Sequence, residues 1–275
     1  MIRHSLMRDT TGQQSHNLLV LAVLAFGVIC RLTRYLADSS LWYDESFVAL
    51  NVIHKSFAEL FGPLDWNEAS PPGFLVAEKL IVSIFGISEY SLRLLPLIAA
   101  LAALLLFAPL ARRLCDNGPA MLWALILFAA WPVAIGQAGT LKHFSLDVLL
   151  GIVLFLLALP TCETQPNPAR LLLWGAVGAS GVWLSFATVF TFAGTALVMA
   201  APAFGRWSAR QRIAFVAANL MMLISLTGLT GSALAQRSAG LMDYWTRHGA
   251  FPDGSGARPV RCWHFLATSG VHPAG

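Results

Sequence analysis

The residues able to do chemistry in this 275-residue chain fall in a few short clusters, and Leu41-Trp42-Tyr43-Asp44-Glu45 is the most telling of them. Two adjacent acids are commonplace in a water-soluble protein. Here charged residues make up 12% of the sequence and hydrophobic ones 57%, so an acid pair framed by two aromatics, just beyond a long apolar run, is expected to have a task. Further along, Glu68 stands in Asp65-Trp66-Asn67-Glu68-Ala69-Ser70-Pro71-Pro72, and Glu89 and Arg93 lead into another apolar run. Lys142, His143 and Asp147 lie close together, and Asp243, Tyr244, Trp245, Arg247 and His248 follow the last apolar run. Carboxylates suit proton abstraction, or a divalent cation held through oxygen ligands; arginine and lysine suit phosphate. Beside apolar walls, such groups would accommodate a ligand that is half lipid and half phosphosugar. Asp44 and Glu45 could hold a divalent metal, but no full ligand set is identifiable and no other cofactor is implied.

The elements that must position these groups are apolar helices. A mean hydropathy of +0.66 places the chain among all-α polytopic membrane proteins. The first run, Leu18 to Cys30, follows Arg3 and Arg8 as a secretory signal would, but Arg31 and Arg34 stand where a small-residue cleavage site belongs. Continued to Leu36, it reads as an uncleaved transmembrane helix, with Arg31 and Arg34 anchoring its outer end. Six more runs follow at 93–111, 119–137, 144–159, 170–185, 187–204 and 213–235, each near the roughly 20 residues that a crossing needs. The segment 72–86 is shorter and carries Glu78-Lys79 at its centre, so it is expected to lie along the membrane surface.

Seven crossings with the N-terminus inside put Arg112-Arg113, Arg170, Arg206, Arg210 and Arg212 in the cytoplasm and leave only Lys142 in the short outer connections. Residues 1–17 then form a cytoplasmic N-terminus, 18–252 a transmembrane domain with a first outer loop at 37–92, and every candidate site residue faces outside. No basic stripe with interleaved aromatics is present, which excludes a nucleic-acid groove. Cys30, Cys115, Cys162 and Cys262 form no C-x-x-C pair and fall in different compartments, so neither a disulfide framework nor a zinc site is expected. Gly175, Gly178 and Gly181 stand three apart, as do Gly228 and Gly231, a spacing that lets helices approach closely. From Asp253 onward, over 253–275, apolar periodicity disappears. That stretch reads either as a disordered terminus or, as favoured here, as the truncated or out-of-frame end of a longer protein.

Four segments resemble the lipid-linked-sugar glycosyltransferases of the GT-C type, in particular the bacterial relatives of the protein O-mannosyltransferases and the aminoarabinose transferases. Leu41-Trp42-Tyr43-Asp44-Glu45-Ser46 is similar to that family's acidic motif in the first outer loop. Ser70-Pro71-Pro72-Gly73-Phe74, with Phe85-Gly86-Ile87-Ser88-Glu89-Tyr90-Ser91-Leu92-Arg93-Leu94-Leu95-Pro96, resembles its "PP … FG-x-x-E-x-x-x-R-L-x-P" run. Leu141-Lys142-His143-Phe144-Ser145-Leu146-Asp147 resembles "K-x-Y-S-x-D" with Phe144 in the tyrosine position, and Asp243-Tyr244-Trp245 through Phe251-Pro252 resembles "YW … F-x-P".

The resemblance covers residues 17–252 in order. It implies transfer of a sugar from a polyprenyl-phosphate donor to a hydroxyl of a glycan, lipid or protein acceptor, with inversion, on the outer face of a bacterial inner membrane. Asp44 would be the general base and Glu45 its helper. Arg93 and Lys142 would neutralise the departing phosphate, and Asp147 would orient them. Glu68, His143, Tyr244 and Trp245 would complete the substrate site. Two other readings stand beside it. A transporter or flippase would place ionisable residues at mid-membrane on broken helices, and an inactive fragment of the glycosyltransferase would bind without reacting.

Overall fold

A computed structural model of the chain describes residues 2–236, apart from 38, 117, 164 and 165. The described residues form eleven α-helices and no strand. They are α1 (Ile2–Leu36), α2 (Tyr43–His54), α3 (Pro72–Phe85), α4 (Glu89–Leu92), α5 (Leu94–Cys115), α6 (Pro119–Ala129), α7 (Pro132–Gln137), α8 (Phe144–Glu163), α9 (Pro168–Leu184), α10 (Thr188–Arg206) and α11 (Ala209–Ala235). Four stretches are long and apolar enough to cross a membrane: Gln14–Leu36, Leu94–Cys115, Phe144–Thr161 and Ala209–Ala235. Their outward faces carry Leu18, Phe26, Ile98, Leu105, Phe155, Ile213 and Ile224 exposed. Such a surface is incompatible with water but suited to hydrocarbon.

The last four helices pack around Trp174, which lies flat against Phe192 at 3.9 Å and near-parallel to Phe215 at 6.1 Å. Close approach of α9 to α11 needs a residue without a side chain at 175. A Cβ there would lie 2.5 Å from that of Ala218, so the spacing of Gly175, Gly178 and Gly181 serves helix packing as expected, whereas a Cβ at Gly231 would meet nothing within 4 Å.

The run 119–137 is not one helix. Pro132 cannot donate to the Phe128 carbonyl, and the helix stops at Ala129 and restarts as the six-residue α7. Two carbonyls are thereby stranded, and Arg31 of α1 satisfies both. Its Nη1 donates to the carbonyls of Ala129 (3.2 Å) and Gly27 (3.0 Å), and its Nη2 to that of Phe128 (3.4 Å). Arg31 is 1% exposed, so it does not anchor the helix at the membrane surface as expected. Instead it caps the C-terminal end of α6, where a positive charge also suits the helix dipole. Arg34, one turn later and half-buried, donates to the Ser39 hydroxyl at 2.9 Å. Arg31→Leu is expected to destabilise the protein by about 1–3 kcal/mol, the usual cost of orphaned buried carbonyls. Thermal melting in detergent would read this, and Arg31→Lys should recover only part of the loss because one ammonium cannot span the same acceptors.

The segment 72–86 is helical as α3, and its 14 residues cover about 21 Å, short of a crossing. The two residues of its central pair point to different surroundings. Glu78 is fully buried, neither carboxylate oxygen has a partner among the described residues, and burial holds its carboxyl well above the usual range. Lys79 turns the other way, donating to the Val52 carbonyl at 2.9 Å and lying over the Phe57 ring. Successive helical residues point about 100° apart, so a charged pair in sequence need not be a pair in space.

Candidate functional site

α2 is the element that separates the two acids of the opening pentapeptide. Trp42 is its N-cap, which puts Asp44 and Glu45 in the first turn, where negative charge suits the exposed amides. Glu45 reaches back to accept from the Trp42 amide at 2.9 Å, half of a capping box. Its other oxygen accepts from the Leu141 amide at 2.6 Å, which fixes the turn before α8. The Arg93 guanidinium lies against both oxygens at 3.4 Å. Glu45 is thus buried at 5% exposure, whereas the Asp44 side chain, one residue earlier, is 63% exposed.

Arg93 is 2% exposed and fully committed. Nε donates to Glu45, Nη1 to the Ser39 carbonyl and to Glu89, and Nη2 to the Ser40 carbonyl and to Glu45. A guanidinium has five N–H donors, and all five are accounted for. The expected neutralisation of phosphate by Arg93 is therefore corrected: Arg93 ties α5 to the chain between α1 and α2.

Asp44 is engaged by Lys142 instead. Lys142 Nζ stands 2.9 Å from Asp44 Oδ2 and 3.2 Å from Glu68 Oε1. It is 8% exposed, and Glu68 is 7% exposed. One ammonium thus sits between an exposed and a buried carboxylate, leaving a net negative cluster. Ser70 donates to Glu68 Oε1 at 2.7 Å. Gln236, at the end of α11, grips the Ser70 backbone twice, Nε2 to its carbonyl at 3.1 Å and Oε1 from its amide at 3.2 Å. The Pro71-Pro72-Gly73 stretch turns this loop into α3. Gly73 is required there because a Cβ would come within 2.7 Å of the Trp183 carbonyl oxygen.

Burial raises the Glu68 carboxyl above its ordinary range, and Lys142 and Ser70 pull it only part of the way back. A carboxyl raised in the folded state stabilises that state fully below its unfolded value and loses the contribution as pH rises through the folded one. Relative to Glu68→Gln, the wild type should therefore lose melting temperature from about pH 4.3 upward. Parallel melting curves for the two proteins over that window would overturn the assignment.

His143 and Asp147, one turn apart on α8's start, stand on a different side. His143 is enclosed by the rings of Phe74, Phe144 and Phe186 at 5.0–6.3 Å, and among the described residues Nδ1 has no hydrogen-bond partner. Burial lowers its pKa against the pull of Asp147. Among the described residues, Gln137 Oε1 also has no hydrogen-bond partner, while Asp147 has the Ser185 hydroxyl as its neighbour. Both residues line a cavity of about 280 Å³ with Arg31 and the apolar Ala100, Phe128 and Trp131.

Of the residues singled out in the sequence, Asp44, Glu68 and Lys142 form one cluster and Glu45 and Arg93 a second that braces it, while His143 and Asp147 lie beyond Lys142. Tyr244, Trp245 and the 253–275 tail lie outside the described residues. Asp44 and Glu45 do not chelate, since Glu45 is turned away to Arg93, and among the described residues no group of three His, Cys, Asp or Glu could hold a metal ion. Ser70, Gln236 and the Leu141 amide were not foreseen. Ser70 stood in a motif, but a backbone amide and a glutamine 166 residues away leave no local signal. The chain matches no protein-family model, no curated protein and no solved structure.

Proposed function

We propose that this protein is a GT-C-like glycosyltransferase, moving a sugar from a polyprenyl-phosphate donor to an acceptor hydroxyl at the outer face of a bacterial inner membrane. The observation that carries the reading is the meeting of Asp44 and Lys142, from two motif segments, with Glu68, two residues before a third, around one ammonium at 2.9 and 3.2 Å. Asp44 accepts the acceptor's hydroxyl proton as the acceptor oxygen bonds to the anomeric carbon. The bond from that carbon to the phosphate oxygen breaks, its electron pair leaves with the polyprenyl phosphate, and the anomeric configuration inverts. Lys142, not Arg93, is the cation near enough to Asp44 to steady the departing phosphate, an electrostatic contribution. The apolar cavity bordered by α1, α5, α7 and α8 is suited to the donor's hydrocarbon chain.

The membrane arrangement belongs to the same reading. α1, α5, α6 with α7, α8, α9, α10 and α11 make seven crossings, with the N-terminus inside and α3 on the outer surface. Arg112 and Arg113 end α5, Arg206 ends α10, and Arg170, Arg210 and Arg212 begin α9 and α11. Asp44, Arg93, Lys142 and Gln236 belong to the opposite helix ends. That separation of charge supports an outward-facing site.

One observation favours a transporter as a second reading: the break between α6 and α7 puts buried Arg31 and half-buried Asp147 on a cavity within the helical bundle. Proteoliposomes containing labelled polyprenyl-phosphate sugars separate the two. Label appearing in a water-soluble acceptor, with polyprenyl phosphate released, supports the transferase. Label that crosses the bilayer still attached to its lipid supports transport and defeats the transferase reading.

A further inference from the structure

Beside Asp44 runs a strip of aromatic rings that neither the base nor the donor cavity uses. Tyr43 and Phe47, one turn apart on α2, meet edge to face at 4.5 Å. Phe47 and Trp66 are parallel to within 1° with centroids 6.1 Å apart. Tyr43 is 75% exposed and Trp66 46% exposed, so the strip opens to its surroundings rather than filling a core.

The backbone is strained to present it. Trp66 adopts φ 58° and ψ 30°, and Asn67 has φ 58°. The left-handed region is unusual for a bulky residue and persists only where its surroundings over-determine it. Both flanks are clamped. Asn51, fully buried on α2, accepts from the Asp65 amide at 2.9 Å and donates to the Asp65 carbonyl at 3.3 Å. Lys55 pairs with the Asp65 carboxylate at 3.2 Å, and on the other side Glu68 is held by Lys142 and Ser70. These clamps hold an exposed apolar ring two residues from Glu68 and one ring from the helix turn that bears Asp44.

Three features select the occupant. A flat, offset pair of rings receives a flat face of polarised C–H groups. The acids at the rim, Asp44 and Asp65, with side chains 63% and 57% exposed, accept hydrogen bonds from hydroxyls. The same acids repel an anionic leaflet, which disfavours burial of the strip in lipid headgroups. A pyranose ring has the apolar face and the hydroxyl rim together; an extended peptide has no such face. The strip also shares no residue with the donor cavity, so the two substrates have separate surfaces.

We infer that Tyr43, Phe47 and Trp66 form the acceptor subsite, and that the hydroxyl delivered to Asp44 belongs to a sugar ring. The assignment of the ring as acceptor rests on the transferase reading; its binding to the strip does not. The test is saturation-transfer NMR on the full chain in lipid nanodiscs, with methyl α-D-mannopyranoside and methyl β-D-glucopyranoside as probes and a serine peptide as control. Ring C–H signals of at least one glycoside should be saturated, the peptide should stay silent, and Trp66→Ala should weaken glycoside binding about 3- to 10-fold. Trp66→Phe should restore most of it, which a merely structural role for Trp66 would not predict. Equal glycoside binding by Trp66→Ala overturns the inference, as does saturation passing to the lipid signals alone, which would make the strip a membrane anchor. Transfer by the wild type, with Trp66→Ala unchanged in acceptor KM, would keep the transferase and discard the strip as its acceptor subsite. Trp66-dependent glycoside binding without transfer from any donor would keep the sugar-binding strip and discard the transferase.

Discussion

Asp44→Asn is expected to lower sugar transfer by about 10²- to 10⁴-fold, the usual contribution of a positioned general base, while leaving the folded protein intact. Two features separate these effects. Asp44 is 63% exposed, and its ion pair with Lys142 is the outer of that lysine's two. Surface pairs contribute about 0–1 kcal/mol, so losing this one should barely move the melting temperature. The asparagine keeps an oxygen for Lys142 but cannot accept a proton at neutral pH. Acceptor KM should change little if the aromatic strip beside it does the binding. The decisive measurement is the rate with labelled donor in membranes, normalised to inserted protein. Transfer at the wild-type rate would remove Asp44 from its role, and loss of inserted protein would show that exposure had misled us about its contribution to stability.

The contrast between Asp44 and Glu45 marks the limit of what the sequence could say. It could identify a membrane protein made of helices, because a long apolar run has few other physical outcomes. It could also indicate that Asp44 and Lys142 belong together, because charges in so apolar a chain gather where the helices end. What it could not resolve is direction. Once Trp42 becomes an N-cap, one acid must turn back towards the cap and the other outward, and the rotation of α2 against α5 decides which meets Arg93. Arg31 and Glu78 show the same gap. The run 119–137 was read as one crossing although Pro132 breaks it, and the cation that repairs the break comes from 97 residues earlier in the chain. Glu78-Lys79 looked like a surface pair until α3 packed and put one residue inside. Trp66 was least legible of all, since its role depends on a left-handed turn held by Asn51 from another element.

Glu45→Ala is expected to be the most destabilising substitution in the site, by about 3–5 kcal/mol, because it leaves a buried cation without its main partner. Arg93 would then keep Glu89, whose side chain is 36% exposed, and two backbone carbonyls. The Leu141 amide would lose its acceptor as well, loosening the turn that carries Lys142. Glu89→Ala is the internal control: it removes the partly exposed i,i+4 partner of Arg93 and leaves Glu45 in place, so it should cost less than about 1 kcal/mol. A further comparison distinguishes a buried charge from lost packing. If the stranded guanidinium is the cause, Glu45→Ala combined with Arg93→Met should be more stable than Glu45→Ala alone, since the second change removes the uncompensated charge. Thermal melting of the four proteins in one detergent decides it. Equal costs for Glu45→Ala and Glu89→Ala would mean that Arg93 is held by the Ser39 and Ser40 carbonyls. The carboxylate next to Asp44 would then be free for some other purpose than bracing it.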